Sequence, residues 1–110
     1  MNPPDPKPPA RVKDKKVRPT GDRCVATGIT DSLHAHHLIS RGQGGDDLPD
    51  NLVWVAARLH DDFHHGSPTQ RYEAGHLIRK GLGTEHIDYI VKHRRGGWEW
   101  LESKYPAEPW

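Results

Sequence analysis

The chain has 110 residues, 33% of them hydrophobic, and a formal net charge of +1. That allows one domain with a modest core and gives no global sign of nucleic-acid binding. No apolar run approaches the ~20 residues of a membrane-spanning helix and no secretory h-region is visible, so a cytoplasmic setting without a membrane partner is expected. The single cysteine, Cys24, excludes an intrachain disulfide and fits a reducing compartment.

Charge is unevenly distributed. Residues 1–23 hold Lys7, Arg11, Lys13, Lys15, Lys16, Arg18 and Arg23 against Asp5, Asp14 and Asp22, while the remainder is acidic by three. Residues 1–20 are Pro-rich and basic with almost nothing to bury, which predicts a disordered or extended arm. The arm reads either as a tether to a phosphate backbone or as a solvated tail. The folded domain is expected over 21–106, with a loose tail at 107–110.

From His34 to Gly66 the chain reads HAHHLISRGQGGDDLPDNLVWVAARLHDDFHHG. The adjacent pair His36-His37 is followed by a loop in which Gly42, Gly44 and Gly45 supply freedom in φ. Asn51 then opens a short apolar run. His60 and His64 lie four residues apart, on one face of a helix, where two imidazoles can grip one ion. His65 is adjacent, but its spacing from His60 turns it away, which favours His64. His34 shares a strand face with His36 and reads as an exposed edge histidine or one facing substrate. Gly66 stands where a helix C-cap is expected.

Downstream the pattern is helical. Ser67-Pro68-Thr69-Gln70 is a capping box with Pro at the first helical position, predicting a helix to about Lys80. Thr84 is expected to cap a helix over Glu85–Arg95, with Ile87, Ile90 and Val91 turned inward, before Gly96-Gly97 breaks it. A last short helix near Trp98–Lys104 should present Trp98, Leu101 and Tyr105 on one side. The four tryptophans are expected to supply much of the core's area.

The order His36-His37, Asn51, His60-x-x-x-His64 resembles the HNH endonucleases of the ββα-metal (His-Me finger) superfamily, across about 33 residues of motif. The resemblance implies an α+β fold with a ββα-metal core. A hairpin is expected with strands near Leu33–Ile39 and Leu52–Val55 and a loop over Ser40–Asp50. A helix near Ala56–His65 should follow, with two or three further helices behind it. It also implies a metal-dependent endonuclease that hydrolyses DNA phosphodiesters to 5′-phosphate and 3′-hydroxyl ends. An anionic phosphodiester resists attack, so one divalent ion (zinc, nickel, manganese or magnesium) is expected on the phosphate.

By the same resemblance His36, His60 and His64 are the metal ligands and His37 is the general base, a role that suits a side chain with an unperturbed pKa of ~6.5. Asn51 is expected to hydrogen-bond across the loop and hold His37 in place. Arg41 and Arg58 are candidates for phosphate contacts. Asp46, Asp47 and Asp50 speak against the loop lying on DNA, and Asp50 reads as shaping the turn into the second strand. Duplex DNA is the implied partner. Such small proteins are frequent in bacterial viruses, which implies a role in viral genome processing inside the bacterial host, alongside other proteins of that process.

The chain departs from the family's zinc-knuckle members. Cys24-Val25-Ala26-Thr27 has Thr27 where a second Cys is expected, and Ala56 and Leu59 stand at the second pair, so no Cys-rich zinc site can be built. Cys24 is then read as a small buried hydrophobe and Ala56 and Leu59 as core contacts. Two other readings stay open: a non-catalytic DNA-binding module with a structural metal, in which His37 has no task, and an RNA-cutting or toxin-type nuclease.

Overall fold

A computed structural model describes residues 11–108. Its element order is β1 (Leu33–His37), β2 (Leu52–Ala56), α1 (Ala57–His65), α2 (Pro68–Gly81), α3 (Thr84–His93) and α4 (Gly97–Lys104). The expected α+β arrangement of a hairpin followed by helices is thus present. The strands pair antiparallel with Leu33 opposite Ala56 and His37 opposite Leu52.

β1 stops two residues short of Ile39, and the reason is Asn51. Beyond His37 the pairing continues partly through a side chain: Leu38 N–H donates to the Asn51 carbonyl at 2.9 Å, but Ile39 N–H donates to Asn51 Oδ1 at 2.8 Å. The intervening loop contains two short 3₁₀ turns, Arg41–Gln43 and Pro49–Asn51. Gly44 takes φ +89°, and at Gly45 a Cβ would lie 1.7 Å from the Ile39 carbonyl oxygen, so only glycine fits that close backbone approach.

The helices start and stop close to their expected limits. Ser67 and Gln70 form the full capping box on α2, with Pro68 in the first turn. α3 begins one residue early: Gly83 is the N-cap and Thr84, already helical, makes no side-chain cap. Gly66 does cap α1, donating to the Asp62 carbonyl at 3.0 Å, but with extended rather than left-handed backbone.

The core lies between the hairpin and the four helices. It is built of Leu38, Ile39, Val53, Val55, Phe63, Ala74, Ile78, Tyr89, Ile90, Leu101 and Tyr105. Tryptophan contributes less than expected. Trp98 is 55% exposed and Trp54 and Trp100 are half-buried, while Trp110 lies outside the described residues. The described indoles sit at the rim because each serves a polar neighbour. Arg79 and Arg94 lie over the rings of Trp98 and Trp100, and Trp54 Nε1–H donates to the Gly21 carbonyl.

Cys24 is buried in a turn that closes on its own sulfur, with Thr27 N–H at 3.3 Å from Sγ, and Val25 N–H ties that turn to the Trp54 carbonyl of β2. Ala56 is buried and Leu59 packs against the core. The described part of the arm is extended and bonded to the hairpin loop. Asp47 N–H donates to the Val12 carbonyl at 2.8 Å, and Asp14 N–H to Asp47 Oδ2 at 2.9 Å. The arm's first ten residues lie outside the described range. Among the described residues no helix is long and apolar enough to cross a membrane.

Candidate metal centre

Alternation along β1 sends His36 toward α1 and His37 the other way. His36 is buried at 2% exposure, and one helical turn on α1 places His60 and His64 beside it. One ring nitrogen from each of His36, His60 and His64 lies within 4.8 Å of the others. The rings meet edge to face, with centroids 5.1 Å apart for His36–His60, 5.5 Å for His36–His64 and 4.5 Å for His60–His64. His65 is exposed and outside the group, and exposed His34 leans its ring on His60 at 5.3 Å.

Burial keeps the imidazoles neutral. Desolvation, with the neighbouring histidines adding to it, drives His36 well below the ordinary imidazole value and takes His60 down to about 4. His64 is lowered by desolvation and then by the Lys104 ammonium. Lone pairs are therefore available at neutral pH. A set of three neutral imidazoles fits a borderline divalent ion such as zinc or nickel and, with no fourth protein ligand in the group, leaves coordination open.

The orientation of His36 is set from the far end of the chain. Tyr105, fully buried, donates its hydroxyl proton to the Leu38 carbonyl at 2.8 Å, so at 3.1 Å from His36 Nε2 that oxygen must accept. Nε2 then carries the ring proton and Nδ1 is left with the lone pair a metal requires.

His37 has a different neighbourhood. Its Nε2 lies 2.8 Å from Asp47 Oδ1. The same carboxylate, itself 3% exposed, accepts from Asp14 N–H and has Arg41 Nε at 3.4 Å and Arg11 Nη1 at 3.9 Å. The hydrogen bond from His37 is the largest influence holding the Asp47 carboxyl down to about 2. A carboxylate can only accept, so Nε2 is the protonated nitrogen of the neutral ring and Nδ1 is basic.

Asn51, fully buried, uses its whole amide: Oδ1 accepts from Ile39 N–H, and Nδ2 donates to the carbonyls of Ile39 and Asp46 at 2.9 Å each. It thus ties the backbone just after His37 to the backbone just before Asp47. Of the two arginines singled out from sequence, Arg41 is engaged by Asp47, while Arg58 is exposed on α1 with no hydrogen bond or ion pair among the described residues.

Sequence reasoning missed Tyr105 and Asp47 as partners of the two histidines. In the sequence Tyr105 marks only a helix face, and nothing separates Asp47 from the other loop aspartates. Comparison with protein-family models, curated proteins and solved structures finds no match to this chain.

Proposed function

We propose that the protein is a metal-dependent endonuclease that hydrolyses DNA phosphodiester bonds by an HNH-type, single-metal route. The observation that carries this reading is the juxtaposition of two unlike histidine sites at the end of one strand: His36 joined with His60 and His64, and His37 backed by Asp47. A divalent ion held by His36, His60 and His64 would supply positive charge to the phosphate being attacked.

The chain's own groups do the rest. His37 Nδ1, the ring's unprotonated nitrogen, takes the proton of the attacking water. Asp47 holds the opposite nitrogen, which fixes the tautomer and faces the positive charge that the ring acquires. Asn51 keeps the His37 and Asp47 backbones in register, and Tyr105 presents the correct nitrogen of His36. A purely structural metal clip would use the triad but leaves a carboxylate-backed histidine without a task, which favours the enzyme reading.

The test is incubation of the purified protein with supercoiled plasmid in the presence of nickel, manganese, magnesium or zinc, and with excess chelator. Cleavage to ligatable 5′-phosphate ends with at least one ion is expected. Undiminished cleavage in chelator, or none with any ion, overturns the reading.

A further inference from the structure

Beside the triad, a cleft of about 340 Å³ opens between α1, the start of α2 and the end of α4. Phe63, His64, Arg71, Tyr72, Lys104 and Pro106 line it, so one wall is a proposed metal ligand. Lys104 is the last residue of α4, and its ammonium sits 5.2 Å above the Phe63 ring. It shares the lining of the cleft with His64. Arg71 stands in the first turn or so of α2 and donates through Nε to the Gly66 carbonyl at 2.9 Å, which leaves its terminal guanidinium nitrogens for another acceptor.

None of the residues lining the cleft is acidic. The nearby carboxylate of Glu102 is taken by Arg79 at 2.9 Å. Two cations therefore face one void next to a site that gains two further positive charges on loading with a divalent ion. Like charges facing one void repel unless an anion lies between them. The volume is near the lower end of small-ligand pockets, which run from ~300 Å³, so it suits one stretch of a single strand rather than a folded domain. Arginine and lysine together are the usual partners of phosphate.

From this placement we infer that the cleft is a backbone-phosphate subsite, in which Lys104 and Arg71 hold the nucleic-acid strand one phosphate beyond the bond at the metal. The occupant rests on the nuclease reading. It moves substrate contact from Arg41, which Asp47 already occupies, to the junction of α1, α2 and α4.

The experiment uses the full chain in chelator, so that no cutting occurs, with a fluorescein-labelled DNA duplex and the matching single strand as probes in fluorescence anisotropy. Lys104→Met with Arg71→Gln removes both charges while keeping stem length over Phe63. Lys80→Met with Lys92→Met, at exposed positions outside the cleft, is the charge-matched control. The cleft pair should weaken binding about ten-fold and lower the slope of log K against log salt by about 1 per lost contact, while the control pair stays within about two-fold. Nickel titration of the cleft pair should match the parent.

Equal losses in both pairs, an unchanged cleft pair, a parent that binds neither probe, or lost nickel affinity in the cleft pair each overturns the inference. A parent that binds through the cleft yet fails to cut with every divalent ion tried upholds the phosphate subsite and removes the nuclease reading.

Discussion

His36 and His37 are neighbours in the chain, and the regions they enter share almost nothing. On the α1 face, buried His36 meets a tyrosine hydroxyl and the imidazoles of half-buried His60 and exposed His64, and the group contains no carboxylate. On the loop face, a half-buried imidazole meets a carboxylate ringed by Arg11, Arg41 and a backbone N–H. Each setting selects a different chemistry. Desolvation keeps the first set of rings toward the neutral form that can coordinate, whereas the carboxylate of Asp47 fixes which nitrogen of the His37 ring carries the proton. A strand's two-residue alternation lets one dipeptide serve both.

The sharpest way to break this contrast is His37→Ala. Because only proton transfer is removed, kcat should fall by ~10²–10⁴-fold while calorimetric nickel affinity stays at the parent value. Equal cleavage by the variant would leave His37 and the loop face without a function.

Next in size is Asp47→Ala. Outer-shell partners of functional histidines are worth ~10–100-fold, and the loss should fall on kcat at saturating metal, not on metal affinity. A nitrogen-15 NMR spectrum should also show His37 losing its Nε2–H preference, which a merely structural role would not alter. Deleting residues 1–14 removes the Asp14 N–H and Arg11 from that carboxylate and should shift kcat the same way. If only salt-dependent DNA affinity changes, the segment is a tether alone.

Tyr105→Phe probes the opposite face. It leaves His36 Nε2–H and the Leu38 carbonyl without their shared partner. Metal affinity should drop about 10-fold with kcat at saturating metal retained, and thermal denaturation should show a loss of ~1–3 kcal/mol. A fall in kcat with unchanged affinity would contradict the assignment of Tyr105 to the ligand side.

The smallest effect is the pH dependence of the metal-free protein, where the two faces should separate. His60 falls from 6.5 to about 4 on folding, so the unfolded chain binds the extra proton between those values. Stability from this face is therefore full above about 6.5 and declines as pH drops toward 4. Asp47 goes from 3.8 to about 2, so its contribution persists to about 3.8 and is lost below. Melting temperatures should show the earlier decline shrink in His60→Gln, with the lowered His36 and His64 supplying what is left, and the later one vanish in Asp47→Asn. A single decline common to both variants would merge the two faces.

Much of this arrangement is written locally. Paired strands, the capping box at Ser67 and Gln70, and the i,i+4 placement of His60 and His64 each depend on residues a few positions apart, and they appear where the pattern puts them. Asn51 is legible for the same reason, since its partners Ile39 and Asp46 lie within one loop. What escaped is long-range. Tyr105 meets His36 across 69 residues and Asp14 meets Asp47 across 33, and no periodicity encodes such pairings. The placement of the tryptophans is not legible either, because hydrophobic area alone does not say which rings find a polar neighbour at the rim.

The closure of Tyr105 onto Leu38 and His36 also has a temporal side. Leu38 and His36 lie 67 and 69 residues from Tyr105, and contacts of such separation form slowly because the loop between them must close first. Tyr105 shares one buried core with the hairpin residues Leu38, Val53 and Val55, and a small domain of this kind folds as a single cooperative unit. The tautomer of His36 is therefore set only in the fully folded chain.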